Sequence, residues 1–220
     1  MLKKLVIGLL CLSLLDCNIA FAADGDAITN DELINLSASK VDSADMKKIE
    51  EYTQSIEENL ETEIVCEDGT KDEISVMDVE VRKINTTYVS GAKVNTYSAT
   101  AKVKTKTSSY KKNGIRADGV LTMKWSDGKG KNNKITRLKG YWVVAKGTFV
   151  SGWLYWGSDY VGPLNAAKRK EVKSDFDEKI NYKSTSSTGK LRADSVARIK
   201  SPKNKKNYQL SIKVSPNIFD

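Results

Sequence analysis

The sequence predicts a mainly β protein, an antiparallel β-sandwich of immunoglobulin-like general architecture, preceded by one amphipathic N-terminal helix. Three observations predict it. From residue 64 onward, stretches that alternate apolar with polar residues and are rich in Thr, Val, Tyr and Ile recur between turn signals. About eight or nine such short strands in succession suit an antiparallel sandwich rather than a parallel α/β sheet. Ahead of them, Met46, Ile49, Tyr52, Ile56 and Leu60 recur at steps of three or four, with Lys47, Glu50, Glu51, Glu57 and Glu58 on the other side.

Taken in chain order, residues 1–22 read as a secretory signal peptide. Lys3 and Lys4 precede the apolar run Leu5 to Leu15, and Ala20-Phe21-Ala22 supplies a small-x-small cleavage pattern. The rival lipoprotein reading, ending in Leu14-Leu15-Asp16-Cys17, is disfavoured because Asp16 is not the small neutral residue that such processing needs. The expected product is extracellular, released after cleavage near Ala22. Residues 23–42 are polar and weakly periodic, a flexible leader. Residues 43–63 form the amphipathic acidic helix, with Asp42 or Ser43 able to accept from its first free amides.

Residues 64–220 make up the basic β-sandwich domain. Asp68-Gly69 is a hairpin signal, since both positions tolerate positive φ. Tyr97, Ala99, Ala101 and Val103 alternate with Ser98, Thr100, Lys102 and Lys104. After a turn at Asn113-Gly114, Ile115, Ala117, Gly119, Leu121, Met123 and Trp125 take one side of the next strand. Gly162 to Ser174 reads as a loop with room for one short helix. Leu191, Ala193, Val196 and Ile199, then Tyr208, Leu210, Ile212 and Val214, flank a polar turn at Pro202 to Asn207.

Removal of the signal leaves Cys66 as the one cysteine, so no internal disulfide forms. An exported domain of this size without bridges points to a bacterial, Gram-positive source. Charge is divided unevenly. Residues 23–80 carry 18 acidic and 4 basic side chains, and residues 81–220 carry 9 acidic and 30 basic. That asymmetry implies an anionic polymer, a glycan or a membrane surface as partner, with nucleic acid well behind.

The stretch Met123-Lys124-Trp125-Ser126-Asp127-Gly128, followed by Asn132-Asn133 and Gly140-Tyr141-Trp142, resembles a pattern in small secreted β-rich proteins of Gram-positive anaerobes, a group without assigned function. The resemblance implies the β-sandwich and no particular chemistry.

The chain contains no histidine, which removes Ser-His-Asp and Cys-His catalysis and the usual zinc or copper sites. No catalytic residue, metal ligand set or cofactor motif is identified, and the balance of the sequence leans against an enzyme without deciding it. Cys66 beside Glu67 and Asp68 lies among acids rather than the cations that activate a thiol, the reading of a packed thiol. Gly128-x-Gly130 lacks the strand–turn–helix context of a nucleotide loop. The remaining enzymatic route is a carboxylate pair drawn from Asp159, Asp175, Asp177 and Glu178, as in glycoside hydrolysis. Glu67, Asp68, Asp72 and Glu73 could hold calcium weakly but match no EF-hand spacing.

The aromatic stretch Tyr141 to Tyr160 is the most informative. With Lys146-Gly147 as a two-residue turn, Val144 faces Phe149, Trp142 faces Ser151, Gly140 faces Trp153 and Leu138 faces Tyr155, all toward the core. The opposite face then carries Arg137, Lys139, Tyr141, Val143, Val150, Leu154 and Trp156. Either the amphipathic helix covers this face, Met46, Ile49, Ile56 and Leu60 lying on Val143, Val150 and Leu154, or it is a binding platform. On the second reading Tyr141, Trp156 and Tyr160 stack on a ligand while Arg137 and Lys139 take its anionic groups.

The expected function is that of an exported, non-catalytic, monomeric binding protein for an anionic polymer or glycan at the cell envelope or a host surface. The alternative is an exported toxin or antimicrobial factor whose acidic N-terminal segment masks a basic, membrane-active β domain.

Overall fold

A computed structural model describes residues 42–128, 133–158, 168–185 and 190–216. The signal peptide, residues 23–41 of the leader, Asp159 and Tyr160 lie outside the described residues. In chain order the elements are α1 (Ser43–Asn59), β1 (Glu61–Cys66), β2 (Lys71–Val89), β3 (Ala92–Thr105), α2 (Thr107–Asn113), β4 (Arg116–Asp127), β5 (Lys134–Lys146), β6 (Thr148–Gly157), β7 (Lys168–Val172), β8 (Asp175–Lys183), β9 (Arg192–Lys200) and β10 (Asn207–Val214).

The strands lie in the order β7-β6-β9-β10-β1-β2-β3-β4-β5-β8, every neighbouring pair antiparallel. They divide into two sheets that share β2. Lys71 to Glu73 pair with β1, and from Ile74 onward β2 pairs with β3. Two β-bulges, between Val76 and Asp78 and between Lys83 and Asn85, bend this 19-residue strand. The sheets close on one apolar core in a sandwich-like arrangement.

Alternation along the strands fills that core. Ile115, Ala117, Leu121, Met123 and Trp125 are all buried, as are Tyr97, Ala99, Ala101 and Val103 from β3 and Tyr208, Leu210, Ile212 and Val214 from β10. Turns form where the backbone demands left-handed residues. Ser90 and Gly91, both with positive φ, close the β2–β3 hairpin, the geometry a two-residue turn needs to match strand twist. Asn113-Gly114 ends a short helix rather than turning a hairpin. Gly114 sits at φ 74 and donates its amide to Tyr110 O, a left-handed C-cap.

The helix α1 is capped by Asp42, whose carboxylate accepts from the Ala44 amide. It ends at Asn59, and strand pairing starts at Glu61, so residues 61–63 belong to the sheet rather than to the helix. Tyr52 and Ile56 enter the core while Met46 remains exposed. Tyr52 packs on Tyr97 and edge-on to Trp125, with ring centroids 4.8 and 5.1 Å away, and donates its hydroxyl to Asp127 at 2.9 Å. Asp45 pairs with Lys83 at 2.5 Å, both side chains largely buried. The helix therefore plugs one end of the core beside β2. It does not lie on Val143 and Val150, which are exposed, or on Leu154, which is inside the core. The covering expected from the sequence is overturned.

The paired aromatic hairpin is overturned as well. β5 and β6 do not pair: β5 lies between β4 and β8, and β6 lies between β9 and β7 in the other sheet. Gly147, at φ 117, is the corner between them, and a Cβ there would stand 2.7 Å from Ile199 Cγ2. A type I′ hairpin needs positive φ at both central residues, and Lys146 does not have it. The segment 168–172, read as loop, is the edge strand β7.

The acidic and basic halves of the chain meet inside the fold. β1 lies against β10, so Glu61 pairs with Lys213, and Arg198 reaches Glu67 at 3.0 Å. Lys206 reaches Asp68 at 3.1 Å in the same neighbourhood. Residues 42–63 are thus part of the framework, not a cover over a basic surface.

Candidate functional site

The residues expected to form one platform are dispersed. Arg137, Lys139 and Tyr141 do share the outward face of β5, with Tyr141 about half exposed. Trp156 belongs to β6 in the other sheet and packs partly buried against the core, so it cannot stack on a ligand held by Tyr141. Arg137 is already engaged. It forms a two-pronged ion pair with Asp177 of β8, which holds the Asp177 carboxyl below the usual carboxylate range. Across the sheet, the row through Tyr141 runs Asp78, Lys102, Val120, Tyr141, Asp175. Lys102 is paired there with Asp78 at 2.9 Å. The row through Tyr141 thus mixes both signs of charge, while the row through Arg137 runs Arg82, Ser98, Lys124, Arg137, Lys179.

Two of the sequence-selected carboxylates, Asp177 and Glu178, are engaged in ion pairs. Asp177 holds Arg137, Glu178 accepts from Lys170 at 2.6 Å, and Asp175 stands opposite Tyr141. Glu67 accepts from Asn207 and Arg198, which lowers its pKa. Asp68 is lowered by the Thr70 hydroxyl and amide, then by Lys206. Both acids therefore serve the β1–β2 turn and its basic neighbours.

A different cluster emerges at the end of the sandwich opposite α1. Three connections converge there: α2, the β5–β6 corner and the β9–β10 turn. Lys111 and Lys112 occupy the last turn of α2. Arg116 and Lys146 stand directly opposite each other at the ends of β4 and β5. Lys200 closes β9, and Lys203, Lys205 and Lys206 follow in the turn. All eight are exposed. Among the described residues, the ion pair these cations make is that of Lys206 with Asp68.

Hydrogen bonds fix the convergence. Ser201 Oγ donates to Asn113 O at 2.6 Å, and Asn113 donates its side-chain amide to Ser109 at 2.9 Å while accepting from the Ile115 amide. Lys203 Nζ donates to Lys111 O at 2.9 Å and to Lys112 O at 3.2 Å. These are carbonyls at the C-terminal, electronegative end of α2. Gly114 makes the close approach possible, since a Cβ there would lie 2.6 Å from Lys203 Cβ. A cleft of about 500 Å³ results, lined by Tyr110, Lys111, Gly114, Lys146, Pro202 and Lys203.

Seen along the sequence, these lysines are spread from 111 to 206 among many others. The signal that pointed to them was the basic excess beyond residue 80; their convergence is a product of topology. No protein-family model, curated protein or solved structure matches the chain.

Proposed function

We propose that this protein is an exported, non-catalytic binding protein for an anionic polymer or glycan, and that the basic end of the sandwich is its binding surface. The observation that carries the reading is the gathering of seven exposed cations without an acidic partner among the described residues, Lys111, Lys112, Arg116, Lys146, Lys200, Lys203 and Lys205, three of which, Lys111, Lys146 and Lys203, line one cleft. Holding like charges together costs self-repulsion that an anionic partner relieves. The scaffold belongs with sandwiches of immunoglobulin-like general architecture in the broad sense of two antiparallel sheets over one core. Export rests on the signal-like residues 1–22.

The test is retention of the secreted-length chain on immobilised anionic polymers over a salt series. Binding should weaken steadily with salt, as for any partner held by charge. Reversal of Lys111 and Lys146 to glutamate should abolish most of it, while circular dichroism stays unchanged. Salt-independent binding, or none to any polyanion, would sink the reading.

A further inference from the structure

Resting on that reading, we infer that the cleft between α2 and the β9–β10 turn takes a linear polymer carrying a phosphate at every repeat, of the polyol-phosphate type, threaded between Lys111 and Lys146. The lining supplies ammonium groups, one tyrosine ring, a proline and a glycine. It supplies no carboxylate and no side-chain amide, the groups that would select the hydroxyls of a neutral sugar. Arginine, whose fork suits planar carboxylates, is absent from the lining as well. Lysine acts as a point charge and serves phosphate in any orientation, so the site fits phosphates spaced along a chain without demanding one stereochemistry. Tyr110 and Pro202 give the polyol carbons an apolar surface.

Lys203 has a second part in this. The C-terminal end of α2 would repel an anion, but the Lys203 ammonium occupies the Lys111 and Lys112 carbonyls. The cleft therefore presents positive charge on both walls.

A membrane fits less well. The surface is concave, and the residues around it, Thr107 to Asn113 and Ser201 to Lys206, include one large ring, Tyr110, which is half-buried. Interfacial anchoring needs apolar side chains to insert. Single-stranded nucleic acid needs a series of stacking rings, and the cleft has one.

The experiment titrates the full chain with poly(glycerol phosphate), polygalacturonate of matched charge, inorganic polyphosphate, single-stranded DNA and anionic vesicles. Poly(glycerol phosphate) should bind at least about tenfold more tightly than polygalacturonate. Lys111→Glu with Lys146→Glu should lower its affinity by about tenfold or more, with a shallower salt slope. The same charge change in Lys179→Glu with Lys183→Glu, on β8 away from the cleft, should leave affinity within about twofold. Equal binding of polygalacturonate, or an equal loss in the β8 pair, overturns the inference while leaving the broader reading intact. Tighter binding of polyphosphate, DNA or vesicles than of poly(glycerol phosphate) overturns the polyol assignment. Failure to bind any of the five removes both.

Discussion

Trp142 on β5 donates its indole N–H to Ser195 Oγ on β9 at 2.9 Å, one hydrogen bond across the interior between the two sheets. Both residues are buried, so neither polar atom has water to fall back on. Ser195→Ala leaves the indole N–H without its acceptor and should cost about 1–3 kcal/mol in urea unfolding. Trp142→Phe combined with Ser195→Ala should cost less than the two single changes added together, because the orphaned donor disappears with the indole. Strict additivity would mean that the bond contributes nothing beyond packing.

Trp142 also shows how far local pattern reaches. Its burial was legible, because alternation along β5 puts Leu138 and Trp142 on the core side whatever lies beside the strand. The same logic correctly anticipated the inward residues of β3, β4 and β10. Alternation says nothing about which strand is the neighbour, and adjacency in sequence alone suggests the pairing of β5 with β6. The bulge between Phe149 and Ser151 then reverses the side presented by β6, so that Leu154 is fully buried and Trp156 packs inward. A one-residue insertion of this kind flips every later side chain and leaves no mark in the sequence. The basic cleft was illegible for a related reason: Lys111, Lys146 and Lys203 meet only through the crossing at Gly147 and the docking of α2 on the β9–β10 turn.

The acidic helix is part of the core, and that has a measurable consequence. Ile56 is fully buried and Met46 is about half exposed. Ile56→Ala should destabilise the protein by about 2–5 kcal/mol. Met46→Ala, on a side that covers little, should stay within about 0.5 kcal/mol. Chemical unfolding of both variants checks this; a small effect at Ile56 would make α1 a detachable leader after all.

Stability should fall in alkali, and Tyr52 is a principal reason. Burial and the neighbouring Asp127 carboxylate push its phenol far above the ordinary range. Below about pH 10 the folded and unfolded states are both protonated there, and the group has no pH effect. Above it, the unfolded chain ionises while the folded one does not, so unfolding gains by up to about 1.4 kcal/mol per pH unit. Tyr155 and Tyr208 are raised by burial too and act in the same direction. The Tyr52→Phe variant separates the contributions. It should be less stable than the parent at pH 8, for want of the bond to Asp127, and the gap should shrink as pH rises from 10 to 11. A constant gap would show that Tyr52 ionises in the folded state as readily as in the unfolded one.

The C-terminus of α2 gives a prediction that local unfolding can read. A seven-residue helix is too short to persist by itself; it holds through its cap at Gly114, the Ser201–Asn113 bond and the Lys203 ammonium on its last carbonyls. Removing that ammonium in Lys203→Met strips a cation from the negative end of the helix, a change of about 0.3–1 kcal/mol. A loss of that size barely moves the global midpoint but should raise amide exchange several-fold over residues 110–115, where protection depends on local opening. Lys205→Met removes an equal charge two residues on, from a side chain with no hydrogen bond to α2 among the described residues, and should leave that exchange unchanged. Lys203→Arg, which can still reach the two carbonyls, should restore most of the protection. If Lys205→Met accelerates exchange as much as Lys203→Met, the effect is one of general charge, and the specific cap of α2 by Lys203 is wrong.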